Sequence, residues 1–441
     1  MKRGSFTAAE RRQNVAPGVS PGESSMVGRE APEGRQSVWN LSPLRGFGFR
    51  RNANPGLTPG ATFCRRSAAV KTRLVILSLS FGMGDITAAG AVAEAWRENT
   101  GCDAVIIDAI EWFPLWFRAI YVAPYWLMIR YCPSLWRRLF EARLRNLHRH
   151  TISPALLALG TRRLLDVIGR LRPQNILAAE VGACEIASLY KRRMDGAVRI
   201  AAMILNCESE PAWVQPGIDM YLVPSDRVAA QLREWGTDET PIEVVGVPIR
   251  KDFRNAESKA TARTRCGLSP ERPIVLLMAG GMGPARLDTA IKELDRRTSI
   301  PVQAIAIAGH DHALLARLRK LQPARLDLRT IGWTEDVSLY MAAADVLITK
   351  PGALTLREAL SMSLATIAFD PLPGLEEENA RELVRRGAGW LSRNPAEAAA
   401  MAEAVLRGEL RSSSTGSADS EAEMIVRLLI AGELQSAKLP S

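Results

Sequence analysis

Apolar positions arrive along this chain in two sets of short, continuous runs, each run followed by a turn and an amphipathic or Ala-rich stretch. The first set opens at residues 74–79 (LVILSL), apolar almost throughout, as expected of a parallel strand buried on both faces. A glycine-containing turn, SFGMGD at 80–85, leads into residues 86–99, which read as a helix. Further strands are expected at 104–107, 175–178, 198–205, 220–223 and 242–245, the last running into the hinge Gly246-Val247-Pro248. The second set has strands at 274–278, 302–308, 326–331, 345–348 and 365–369, a glycine turn at 280–283, and helices at 285–297 and 354–362. Strands alternating with helices predict an α/β chain of two doubly wound domains, residues 71–247 and 248–410, with their strand C-termini facing a central cleft. Residues 1–70 precede them, and 411–441 supply a Ser-rich linker and one short helix.

Between the first strands the pattern breaks. Residues 112–140 hold 10 of the chain's 26 aromatic side chains, too many to belong to loops alone. This is not a membrane span, because its uncharged stretch, 119–129, is 11 residues long where about 20 are needed. From Trp136 onward a helix would set Trp136, Leu139, Phe140, Leu144 and Leu147 on one face, with Arg137, Arg138, Arg145 and Arg149 opposite and only Arg143 breaking the stripe. Such a helix suits a membrane interface, with rings in the headgroup layer and guanidinium groups on phosphates. Packing of the same aromatics on the domain's own core is the competing expectation.

Charge sharpens this. The net charge of +10 is concentrated: residues 1–70 hold 11 Lys/Arg against 4 Asp/Glu, and 112–150 hold 7 against 1. The folded domains otherwise carry no basic excess and no nucleic-acid motif, so an anionic membrane surface is the expected partner and nucleic acid is not. Residues 1–70, rich in Arg, Ser, Gly and Pro, read as a disordered basic extension, either a transit-like leader, a basic tail or translation from an upstream start. Six scattered cysteines without a CxxC pair fit a reducing cytoplasm.

Candidate chemistry concentrates at 349–379, TKPGALTLREALSMSLATIAFDPLPGLEEEN. A strand runs into a Pro-Gly turn and then a helix, whose N-terminus would aim free N–H groups and partial positive charge at a diphosphate. Glu358, about one turn inside, would accept hydrogen bonds from both ribose hydroxyls. One strand later comes an acidic run, Glu376 to Glu378. The sequence-level alternative is an ordinary helix–strand connection with a solvated acidic helix start.

With these segments in hand, the chain resembles the monogalactosyldiacylglycerol synthase and processive diacylglycerol glucosyltransferase family over about residues 73–405. The motifs are LVILSLSFGMGD, the aromatic segment before Pro133-Ser134-Leu135-Trp136, VVGVPIRKDF, LLMAGGMGP, and KPGALTLREAL with DPLPGLEEEN. The resemblance implies the GT-B fold of two Rossmann-like domains, and transfer of a hexose from a UDP-sugar to diacylglycerol with inversion. It implies peripheral association with the inner, cytoplasmic face of the membrane. It further implies that Gly280, Gly281 and Gly283 let backbone approach the diphosphate, that Gly352, Ala353, Leu354 and Thr355 hold it, that Glu358 takes the ribose, that Trp333 or Thr334 lies at the uracil, and that Glu376 and Asn379 touch sugar or phosphate. Gly82 and Gly84, with Trp112, Trp116, Tyr125, Trp126, Trp136, Arg137 and Arg138, would serve acceptor and membrane. No metal or other cofactor is implied, the UDP-sugar being a substrate and backbone dipoles meeting the leaving group's charge.

This chain departs from the pattern in three places. Asp85 stands where relatives have His; a carboxylate can take the acceptor hydroxyl's proton, or can simply cap the helix. Leu375 replaces a common Gln, which leaves the hexose open. Ala179-Glu180 and Asn206-Cys207-Glu208-Ser209-Glu210 replace a His-containing strand end and a TDF-like segment, making Glu180, Glu185, Glu208 and Glu210 alternative bases. His310 and His312 follow a strand of the second domain and are expected near phosphate at a helix start. A soluble UDP-sugar epimerase or glycosyltransferase with a non-lipid acceptor, and a catalytically silent sugar-nucleotide-binding membrane protein, are the competing functions.

Overall fold

The computed structural model describes residues 74–145, 147, 149–194, 198–281, 285–413 and 420–436. The expected extension at 1–70, Gly283, and most of the Ser-rich linker lie outside them. Strands β1 (Leu74–Ser78), β2 (Val105–Asp108), β3 (Asn175–Ala178), β4 (Arg199–Met203), β5 (Met220–Val223) and β6 (Ile242–Val244) form one parallel sheet, in the order β2-β1-β3-β4-β5-β6. Strands β7 (Ile274–Met278), β8 (Val302–Ile307), β9 (Leu326–Ile331), β10 (Val346–Thr349), β11 (Ala365–Phe369) and β12 (Gly389–Ser392) form the second, also parallel, in the order β12-β11-β10-β7-β8-β9. This is the two-domain GT-B arrangement. The apolar runs behave as their composition requires: every residue of β1, β7 and β8 is buried. β12, a short GWLS segment, is an addition to the expected set.

The order of strands positions the chemistry. In the first sheet the chain leaves β1 toward β2 and returns on the other side at β3; in the second it leaves β7 toward β8 and returns at β10. Each reversal opens a crevice beyond the strand C-termini, between β1 and β3 and between β7 and β10. The loops there are 79–82 and 179–180 in one domain, 279–281 and 350–352 in the other.

Three helices hold the crevices face to face. The Ala-rich helix Met83–Thr100, ended by Gly101 at φ +69°, buries Ala88, Val92, Ala95 and Trp96 in a hydrophobic cluster that also takes Leu276 and Leu347 from the second sheet. Its first turn meets the helix Ala353–Ser361, where a Cβ on Gly84 would lie 3.7 Å from Leu354 Cβ. The expected short C-terminal helix spans Glu421–Ser436 and buries Ala422, Ile425, Val426 and Leu429 in that cluster, against Met83–Thr100. Arg357 Nε donates to Glu421 Oε1 at 2.9 Å, so this helix is a fastening between domains and not a loose tail. No helix among the described residues is long and apolar enough to cross a membrane.

Candidate active site

On the second domain's side of the cleft, β10 ends in buried Thr349 and is followed by buried Lys350, and Gly352 N donates to Lys350 O at 2.9 Å in a tight turn. Gly352 is the N-cap of Ala353–Ser361 and has no side chain to cap it, so the first N–H groups, those of Ala353, Leu354 and Thr355, face the cleft without a side-chain acceptor. A Cβ on Gly352 or on Gly280 would meet nothing within 4 Å, and Gly280 takes φ +74°, a value that favours glycine. Both therefore offer backbone to the crevice. Gly281 is different. A Cβ there would come 2.5 Å from Met83 Cβ of the opposite domain, so its bareness is required by domain contact.

Glu358 lies in the helix Ala353–Ser361 at 5% exposure, and among the described residues its carboxylate has no hydrogen-bond partner. Burial pushes its pKa up to about 8, against the pull of the Arg250 charge. A buried carboxyl without partners is a costly arrangement that a polyhydroxyl ligand would relieve. Trp333 is 40% exposed and stacks on His310, ring centroids 4.2 Å apart and planes 12° apart. His310 N donates to Gly281 O at 3.3 Å, which brings that stack beside the glycine turn. Burial and the neighbouring His312 lower the His310 pKa, favouring a neutral ring. Thr334 Oγ1 accepts from Asp336 N at 3.1 Å, in the same loop. Sequence reasoning missed the His310–Trp333 stack and buried Lys350; the only signal for either was its place directly after a strand.

On the first domain's side, Asp85 occupies the third helical position of Met83–Thr100. The N-cap is Gly82 and no side chain caps the helix, so the expectation that Asp85 is a cap is corrected. Desolvation outweighs its backbone hydrogen bond and raises the Asp85 carboxyl to about 7. Glu180 caps Val181–Arg193, accepting from Gly182 N at 2.6 Å and Ala183 N at 3.3 Å. Burial first, then the charge of Asp85, raise its carboxyl well above the ordinary range. The other alternative bases are engaged by protein: Glu185 accepts from Thr151 N at 2.6 Å, Glu208 pairs with Arg227 at 2.7 Å, and Glu210 with Arg143 at 2.8 Å. Asp85 is thus the partly exposed cleft carboxyl poised near neutrality.

The acidic run does not point as a group at the cleft. Glu376 Oε1 pairs with Lys350 Nζ at 3.2 Å, and Glu376 Oε2 accepts from Leu372 N at 2.8 Å. Glu377 pairs with Arg137 of the first domain at 2.7 Å, and Glu378 with Arg227 at 3.4 Å. Asn379, 1% exposed, accepts from Cys207 N at 2.9 Å and donates to Asn206 Oδ1 and Pro351 O. Its amide is used by protein across the cleft.

The aromatic segment divides by facing. Trp112 packs on the first domain's core; Tyr125 meets Phe81 at 4.9 Å and Trp136 at 5.2 Å, with Trp126 against it. In the helix Pro133–Arg145, Trp136, Arg137, Phe140 and Arg143 face the protein while Leu135, Arg138 and Leu139 face out, so the expected interfacial stripe is turned around. Arg143, the residue that broke the predicted stripe, is an inward ion-pair partner. Of the expected membrane residues, Trp116 and Arg138 are exposed; their outward neighbours are aliphatic, Leu115, Ile120, Leu127 and Leu139, with Tyr131.

Comparison with known proteins bears on this site. Residues 85–249 match the family described as "Monogalactosyldiacylglycerol (MGDG) synthase", and residues 274–429 match "Glycosyltransferase family 28 C-terminal domain". The processive diacylglycerol beta-glucosyltransferase of Bacillus licheniformis is 31% identical over 233 residues, 52% of this chain and only 60% of that protein's length. The protein of the same name from Bacillus cereus is 25% identical over 342 residues, 77% of this chain and 87% of that one. MnaA of S. aureus, solved with UDP, matches in fold with a TM-score of 0.53 at 12% identity, covering 84% of this chain and 99% of that one.

Proposed function

We propose that this chain, which matches the monogalactosyldiacylglycerol synthase model and the glycosyltransferase family 28 C-terminal domain in turn, belongs with the monogalactosyldiacylglycerol synthases and processive diacylglycerol glucosyltransferases, and that it moves a hexose from a UDP-sugar to a diacylglycerol-type lipid, with inversion and without a metal. The observation that carries the reading is the opposition of two crevices: an uncapped helix N-terminus and bare glycine backbone on one side, a carboxyl poised at about 7 on the other. In this reading Asp85 takes the proton of the acceptor hydroxyl, whose oxygen attacks the anomeric carbon from the face opposite the leaving group. The C–O bond to the diphosphate breaks, and UDP departs toward the N–H groups of Ala353 to Thr355. A single displacement inverts the anomeric centre. Glu358 would hold the ribose, and the His310–Trp333 stack would flank the uracil.

The outward Leu115, Trp116, Ile120, Leu127, Tyr131, Leu135 and Leu139, interleaved with Arg130 and Arg138, form the surface we assign to the inner, anionic face of the membrane. Incubation of the full chain with labelled UDP-glucose, UDP-galactose or UDP-N-acetylglucosamine and diacylglycerol vesicles tests the reading. Labelled lipid is expected with at least one donor, with inverted configuration by NMR and unchanged turnover in EDTA. No labelled lipid with any of the three would refute it.

A further inference from the structure

The helix Pro133–Arg145 has two working faces. Outward, Leu135 and Leu139 are 49% and 43% exposed and Arg138 stands between them. Inward, the helix touches the loop that closes the donor side of the cleft: a Cβ on Gly374, which takes φ +97°, would lie 3.3 Å from Phe140 Cδ1, so the Phe140 ring sits directly on that glycine. One turn earlier, Arg137 donates to Glu377 Oε1 at 2.7 Å, and Arg393 reaches the same oxygen from the other side. Glu377 Oε2 accepts from Gly374 N at 3.3 Å, so one carboxylate ties the first-domain helix to the start of Leu375–Arg385. The next residue back, Glu376, holds Lys350 at the head of the turn that begins Ala353–Ser361. The contacts run from Arg137 through Glu377 and Gly374, and by Glu376 to the Lys350 turn. The sequence separation between Arg137 and Glu377 is 240 residues, so this link is tertiary and not a local helix pair.

We propose that Arg137 is a positioning residue for the donor site: through Glu377 it fixes the loop 370–379 and the Lys350 turn in their nucleotide-binding arrangement, and it joins that loop to the same helix whose outer face meets the membrane. The proposal rests on the UDP-sugar reading above. Arg137 would touch neither nucleotide nor lipid; it acts through Glu377. Its neighbour Arg138 is exposed, and among the described residues no hydrogen bond or ion pair ties it to the loop, so the two adjacent arginines have separable duties.

Calorimetry with UDP and co-sedimentation with vesicles containing phosphatidylglycerol separate them, using the full chain. Arg137→Ala should weaken UDP binding about tenfold and leave vesicle binding unchanged, while Arg137→Lys, which keeps one charged donor, should restore most of the affinity. Arg138→Ala should do the reverse, lowering vesicle binding with UDP affinity intact. Unchanged UDP affinity in Arg137→Ala overturns the proposal, as does a lysine variant no better than alanine. A wild-type chain that fails to bind UDP refutes the functional reading itself and this proposal with it, an outcome distinct from failure of the variants alone.

Discussion

Replacing Asp85 by Asn tests the site at its most exposed physical claim. The cleft raises this carboxyl from 3.8 to about 7 by desolvation. A shift of about three units is worth about 4 kcal/mol at roughly 1.36 kcal/mol per unit. Asp85 keeps partial contact with water, so screening reduces the working figure to about 2 kcal/mol. The sign follows from linkage. Below about pH 4 the group is protonated in both the folded and the unfolded chain and contributes no penalty. As pH rises toward 7 the unfolded chain ionises first, and folding loses stability over that window; above 7 both states are ionised and the whole penalty stands. Asparagine does not titrate. The variant should therefore match the wild type near pH 4, gain melting temperature relative to it up to about pH 7, and keep a constant advantage above. Turnover should fall about 10²- to 10⁴-fold, with UDP affinity retained. In the wild type, kcat/KM should climb with pH through about 7 and then level. A stability difference that does not widen between pH 4.5 and 8.5 would refute the desolvation argument, and near-wild-type turnover in the variant would refute the base.

Two further perturbations probe the other side of the cleft. Gly281→Ala places a methyl group against Met83, so domain closure and turnover should both suffer, with a loss of about 1–3 kcal/mol in stability; the double variant with Met83→Gly, which removes the clashing Cβ and Cγ, should recover activity relative to Gly281→Ala, and no recovery would show that the contact is not the cause. Glu358→Leu should weaken UDP binding about tenfold or more in calorimetry, whereas Glu358→Gln, which can still donate and accept, should lose less; equal losses would argue against a ribose contact.

The strands were legible because burial on both faces leaves little room for polar residues, so β1, β7 and β8 announce themselves by composition. β12 did not, since Gly389 and Ser392 at its ends hide a short strand that needs β11 beside it. The crevices were legible too: glycines after β7 and β10 are local features, and the strand order that makes them face each other follows from alternation. What the sequence could not disclose is what stands opposite each side chain. Asp85 in a first helical turn would ordinarily have its charge favoured by the helix N-terminus. Here burial outweighs that preference, and desolvation wins.

The same limit explains the acidic run. Glu376 to Asn379 reads locally as a ligand-binding cluster, because four adjacent polar groups at a helix start need partners and a polyhydroxyl substrate would supply them. The partners turn out to be Lys350, Arg137, Arg227 and the backbone of Cys207, three of the four from the other domain. A cluster that meets its hydrogen-bonding needs across the cleft cannot at the same time be wholly free for the donor. The departure at Leu375 then has a physical context. It sits between Gly374, on which Phe140 rests, and Glu376, which holds the Lys350 turn. Donor selection in this chain is therefore to be sought in how the first domain sets this loop, as much as in any side chain that would reach the hexose.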